Sequence, residues 1–149
     1  MQTLLTVIVT WLSFNFALPA NFDHPRIELV PPTQMTAVRS QAASSSPSGS
    51  VANGLGHTGH DIEAFYDDTS RTIYLKEGWT GAKPAELSVL VHEMVHHLQN
   101  TAGLKYECAE AREKPAYDAQ KKWLALFGRN LEKDFKLDPF TLLVRTRCM

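Results

Sequence analysis

The stretch Leu90-Val91-His92-Glu93-Met94-Val95-His96-His97-Leu98-Gln99 decides how the rest of this sequence is read. Its apolar residues belong to a longer series, Leu87, Leu90, Val91, Met94, Val95 and Leu98, spaced at i, i+3, i+4, i+7, i+8 and i+11. That spacing draws one stripe along an α-helix. The helix is predicted from Pro84, whose missing N–H costs nothing in a first turn, to Thr101, with Gly103 as its stop. Ser88, His92, His96 and Gln99 share a second face, and Glu86, Glu93, His97 and Asn100 lie toward a third.

His92-Glu93-Met94-Val95-His96 is an H-E-x-x-H motif. Residues four apart sit one turn apart on the same face, so His92 and His96 can direct two ring nitrogens at one Zn²⁺. Glu93 is rotated about 100° from His92 and flanks the ion without ligating it. There it can take a proton from the zinc-bound water, whose pKa the metal lowers to about 7. Shuffling the six histidines and nine glutamates of this chain produces such a motif in roughly 1% of cases. One zinc per chain is therefore expected, against the plainer reading of a helix with surface histidines.

The third ligand sets the subtype. A metzincin pattern needs glycine at Gln99 and histidine at Ala102, so it fails. A downstream carboxylate remains, with Glu107, Glu110 and Glu113 as candidates. A second helix is predicted from about Ala109 to Phe127, ended by Gly128, with Ala116, Gln120, Trp123 and Phe127 on the face turned to the first helix. Glu113 shares that phase and is preferred. Glu110 points a similar way and stays open, because Pro115 disturbs a helix continuing upstream through Glu113.

Before the motif helix, Asp61 to Glu77 reads as two strands around the polar turn Asp67-Asp68-Thr69-Ser70, with Ile73 and Leu75 alternating against Thr72, Tyr74 and Lys76. A last helix is expected over Pro139 to Arg147. The fold class expected is α+β: a short antiparallel sheet, then the motif helix, then further helices. Residues 61–149 would form this domain, and residues 21–60, with the run Ser40 to Ser50, read as a low-complexity linker. Residues 1–20 read as a signal peptide: Leu4 to Leu18 is apolar, about fifteen residues long, and followed by Pro19-Ala20. The alternative is a buried or amphipathic N-terminal helix. Cys108 and Cys148 are compatible with export as a disulfide; two free thiols are the other reading.

These residues together resemble the zincin-like metallopeptidases, and within them a minimal gluzincin. The likeness is carried by the edge-strand candidate Thr72 to Leu75, by His92, Glu93 and His96, and by Glu113-Lys114-Pro115-Ala116. That E-x-x-A element resembles the third-ligand helix of small zinc peptidases that cleave phage-type repressors, and uncharacterised bacterial metallopeptidase-like proteins. The likeness covers Ile62 to Phe127 and implies a zincin-like domain. Larger gluzincins carry E-x-x-x-D, whereas Tyr117 stands four after Glu113 here; Asp118 and Gln99 are candidates to orient a ligand histidine instead.

Composition bounds the rest. Fifteen Lys+Arg against sixteen Asp+Glu give a net charge of -1, without the basic block expected of a nucleic-acid binder. No stable membrane insertion is expected after processing. The reading is an exported zinc metallopeptidase, with Glu93 as general base and a peptide or protein substrate pairing with the strand near Ile73 by edge addition. A catalytically inactive, zinc-stabilised binding or inhibitor module is the rival, and hydrolysis of non-peptide amides a third option. Tyr66, Tyr74, Tyr106 and Tyr117 could offer a hydroxyl to a tetrahedral intermediate, but tyrosines mostly pack with a wet tip; among the four Tyr117, one turn from Glu113, is the better placed. His97 is expected capped or solvent-facing, and His57 and His60 form a loop rather than a second metal site.

Overall fold

The computed structural model describes residues 1–45 and 62–149. The chain is α+β, with six helices and a three-stranded sheet among the described residues. In order these are α1 (Gln2–Phe16), β1 (Arg26–Val30), α2 (Met35–Ser45), β2 (Ala64–Asp67), β3 (Thr72–Lys76), α3 (Pro84–Thr101), α4 (Ala109–Ala125), α5 (Leu131–Asp134) and α6 (Pro139–Thr146).

The β2–β3 hairpin forms around the expected turn, with Ala64 opposite Leu75 and Asp67 opposite Thr72. Side-chain alternation divides it between two cores. Ala64, Tyr66, Ile73 and Leu75 face α3 in the main cluster, while Phe65 and Tyr74 stack on the other face beside Val30 and Met35. α3 occupies the predicted span, and Gly103 beyond it has φ +65°, the left-handed conformation a helix stop needs. Its residues from Ser88 to Gln99 are all buried, so the helix is enclosed on every side rather than along one stripe.

Three expectations are corrected. The sheet is mixed, not antiparallel: β1 pairs in parallel with β3, in register from Arg26 opposite Thr72 to Val30 opposite Lys76. β3 is therefore the central strand, in the order β1-β3-β2, and not an edge. Both its ladders are taken, so no substrate strand can add to Thr72–Leu75. Finally, residues 21–60 are not a linker throughout. β1 and α2 lie within them; residues 46–61, including His57 and His60, fall outside the described residues. α2 is rich in serine and alanine, yet Met35 and Ala42 bury against Phe65, Ile62 and Val30, and that tertiary packing supplies what its composition lacks.

The N-terminal segment is helical and packed. Leu5, Ile8, Val9 and Leu12 recur at i, i+3, i+4 and i+7 and are fully buried in the main cluster with α3 and α4. Each such side chain is worth about 1.5–3 kcal/mol of burial. Trp11 meets Trp123 of α4 edge-on, ring centroids 5.1 Å apart. Trp123 is buried as expected, but Phe127 is half exposed. No helix among the described residues is long and apolar enough to cross a membrane.

Candidate metal centre

Two helices build the site. Upstream of α3, Trp79 folds back so that its Nε1 donates to the Glu86 carbonyl at 2.8 Å. The ring lies over Gly81, where an added Cβ would stand 2.9 Å from Trp79 Cη2, so a glycine is required at φ +72°. α4 is capped by Cys108, whose Sγ accepts from the Ala111 N–H, and runs through Pro115 to Ala125. Pro115 lacks an N–H, so the Ala111 carbonyl loses its helical donor, but the helix continues. Glu113, Ala116, Tyr117, Gln120, Trp123 and Leu124 form its buried face.

That face brings Glu113 to the motif. Its Oε2 lies 3.0 Å from His92 Nε2 and 3.1 Å from His96 Nε2. The three residues are buried and form a group that can hold a metal ion. Glu110, one turn earlier and half-buried, and Glu107 are not part of it.

The other ring nitrogens meet glutamines. His92 Nδ1 lies 3.0 Å from Gln120 Oε1, and His96 Nδ1 2.8 Å from Gln99 Oε1. Neither amide is free to turn round. Gln120 Nε2 donates to Ser88 Oγ, which itself donates to the Ala85 carbonyl. Gln99 Nε2 donates to the Arg112 carbonyl, while its Oε1 accepts from Arg112 Nε. Both Nδ1 atoms must therefore carry the proton. In a neutral ring Nε2 is then a lone pair. Two such lone pairs and a carboxylate oxygen converge on one point, an arrangement that repels unless a cation fills it.

Protons or a metal can do so. If both rings are imidazolium, two charges share one carboxylate out of water, which is costly. A divalent cation replaces two protons with no change of charge. Ligand atoms about 2.0–2.1 Å from a tetrahedral ion stand about 3.4 Å apart, close to the observed spacings. The residues present fit a metal. Burial alone would push the Glu113 carboxyl up, but in the metal-free chain the imidazoles of His96 and His92, when protons rather than a metal fill the site, outweigh it and hold it well below the usual carboxylate range.

Glu93 differs. Both its oxygens are buried without a hydrogen-bond partner. Burial pushes its pKa up to about 8; His92 opposes the shift and Glu113 adds to it. Tyr117 sets its ring edge-on to His92 at 4.7 Å, and its hydroxyl accepts from Arg145 Nη1 of α6 at 3.0 Å. Burial pushes this phenol up to about 12.

His97 belongs elsewhere, and the solvent-facing expectation is corrected. It is buried, with Nε2 donating to the Asp23 carbonyl and Nδ1 accepting from Tyr66, so it ties the N-terminal segment to α3. Gln99 does face a ligand ring, but Asp118 pairs with Lys114 at the surface. Gln120, Ser88, Arg112 and Asp68 carry no role in the sequence reading. A signal was present for one of them: Gln120 is a polar residue on the apolar face of α4, two turns beyond Glu113. Cys108 and Cys148 are joined as a disulfide, which pins the C-terminal end to the start of α4.

A family model described as a domain of unknown function (DUF6647) matches residues 1–149, and the chain belongs to that family. No curated protein and no solved structure matches it significantly.

Proposed function

We propose that this member of the DUF6647 family is a zinc-dependent metallopeptidase with His92, His96 and Glu113 as ligands and Glu93 as general base. The observation that supports it is the pairing of two features: three converging lone-pair atoms, and beside them a buried carboxylate with no partner. Zinc, when bound, supplies Lewis acidity and brings a water's pKa to about 7.

The chain's own residues do the rest. Gln120 and Gln99 keep the protons on Nδ1 and leave each Nε2 as a ligand. Glu93, made more basic by its burial, can in its ionised form accept a proton from the attacking water and return it to the leaving amine. Tyr117 carries a hydroxyl one turn from Glu113, available to a developing oxyanion. The disulfide supports export to an oxidising compartment.

One observation favours the rival, a zinc-stabilised binding module without turnover. His92, Glu93 and His96 are 0% exposed and Glu113 is 3% exposed, as in a closed structural site. Glu93→Gln separates the two. As an enzyme, the variant keeps one zinc per chain and loses peptide hydrolysis. Hydrolysis undiminished in Glu93→Gln, or absent from a zinc-loaded wild type across a broad peptide library, rejects the peptidase reading. Metal content of His96→Ala, Glu113→Ala and Glu110→Ala checks the ligands: the first two lose zinc and the third retains it.

A further inference from the structure

The contacts that set the site reach beyond the two glutamines. Arg112 immediately precedes Glu113 on α4. Its Nη1 and Nη2 donate to the two carboxylate oxygens of Asp68, in the β2–β3 turn, at 2.9 and 2.6 Å. Nε donates to Gln99 Oε1 at 3.3 Å, and Nη2 reaches the His96 carbonyl at 3.4 Å. Gln99 answers by donating its Nε2 to the carbonyl of Arg112 at 3.0 Å. Asp68 is held in turn, because its carbonyl accepts from Asn100 Nδ2 of α3 at 3.0 Å.

We infer that Arg112, anchored by Asp68, is a positioning residue that sets the imidazole of His96 for metal binding by clamping the amide of Gln99. The inference rests on the metal-centre reading and assigns a role to a side chain that supplies no ligand atom. A primary amide can present either end to a ring nitrogen. A Gln99 turned by half a rotation offers its NH₂ to Nδ1, which then needs its lone pair there and carries its proton on Nε2, where the metal must bind. Arg112 Nε can only donate, so Oε1 has to face Arg112 and His96 together. The planar guanidinium grips Asp68 with two nitrogens while offering the third to Gln99; the single ammonium of a lysine has no such fork. His92 is set separately, through Gln120 and Ser88, so loss of Arg112 falls on His96 alone.

Charge and geometry predict opposite signs here. A guanidinium beside the site repels a divalent cation, so Arg112→Met would tighten zinc binding on charge alone. Positioning predicts binding weaker by about 10–100-fold.

The experiment uses the full chain. Zinc affinity is measured by chelator competition for wild type, Arg112→Met, Arg112→Lys and Asp68→Asn, with thermal unfolding to confirm each is folded. The tautomers of His92 and His96 are read by ¹⁵N NMR in the metal-free proteins. We expect zinc affinity to fall by about 10–100-fold in both Arg112 variants. The share of Nδ1–H tautomer falls at His96 but not at His92, because only the main-chain carbonyl of residue 112 is left to hold Gln99 Nε2. If Arg112→Met does not fold, Arg112→Lys and Asp68→Asn carry the same readouts. A folded Arg112 variant that binds zinc as tightly as wild type, or more so, overturns the inference while the metal centre stands. A wild type that takes up no zinc rejects the metal-centre reading instead. The tautomer then decides alone, and an unchanged Nδ1–H at His96 in the variants overturns the clamp.

Discussion

Gln120 holds its amide oxygen 3.0 Å from Nδ1 of His92, across 28 residues of sequence. Because Ser88 fixes the other end of that amide, the ring has one tautomer and one orientation. Gln120→Leu leaves a buried ring N–H without an acceptor, a penalty of about 1–3 kcal/mol. Zinc binding should weaken by about 10–100-fold. Gln120→Glu keeps the acceptor and adds negative charge, so its affinity should match or exceed wild type. Chelator competition measures both, and an unweakened Gln120→Leu removes this residue from the site.

Glu93 makes stability depend on pH in the metal-free chain. Its carboxyl is raised from an ordinary value near 4.5 to about 8 by burial. The folded state thus holds a proton that the unfolded state releases above about pH 4.5. Stability from this group falls as pH rises from there to about 8, by at most about 1.4 kcal/mol per unit. Glu113 acts in another window: its depressed carboxyl adds stability above the unfolded value, lost as pH falls through the folded one. His97, pulled down by burial, opposes Glu93 below about pH 6.5, because the buried ring resists protonation there. Glu93→Gln isolates the first effect. Urea melts between pH 5 and 8 should show the difference between variant and wild type widening with pH; a constant difference would mean that Glu93 keeps its ordinary value.

The motif helix and its hairpin were legible because each carries a strong period. Leu87 to Leu98 hold a helical stripe, and Ile73 and Leu75 alternate about a polar turn. Glu113 was legible from phase, since it shares a face with Ala116 and Trp123. β1 was not: Arg26 and Leu29 are exposed and only Val30 is buried, so no alternation marks the strand, and its parallel partner lies far along the chain. α2 buries only Met35 and Ala42, too little for a sequence pattern. The N-terminal stretch is ambiguous by composition, because a mostly apolar run of fifteen residues, Leu4 to Leu18, suits a leader and a core helix alike. The period of Leu5, Ile8, Val9 and Leu12 favours packing. Clamps such as Arg112 depend on contacts between distant elements, and no local spacing encodes them.

That period in α1 gives a direct test. Leu12 is fully buried between α1 and the main cluster, whereas Val7 on the same helix is 52% exposed. Leu12→Ala should cost about 2–5 kcal/mol through lost burial and the cavity left behind. Val7→Ala should stay within about 0.5 kcal/mol. Urea unfolding of the full chain measures both. Equal and small effects would mean that α1 is not docked in solution.

The disulfide between Cys108 and Cys148 closes a loop with a sequence separation of 40, from the N-terminal cap of α4 to the end of the chain. Constraining a loop of that length in the unfolded state is worth about 4 kcal/mol on the chain-entropy model. The bond also keeps α6 against α4, where Arg145 donates to Tyr117 beside His92. The ligands themselves need no such tie. Glu113 is carried by the second turn of α4, whose buried face packs on α3 through Ala116, Gln120 and Trp123. Cys108→Ser/Cys148→Ser should therefore lose about 4 kcal/mol of stability while keeping one zinc per chain. Melts of the wild type with and without reductant, beside metal analysis of the variant, check the two halves separately. A melting temperature indifferent to reductant would show that the closed loop contributes nothing. Loss of zinc in a folded variant would move the tail from a staple to a part of the site.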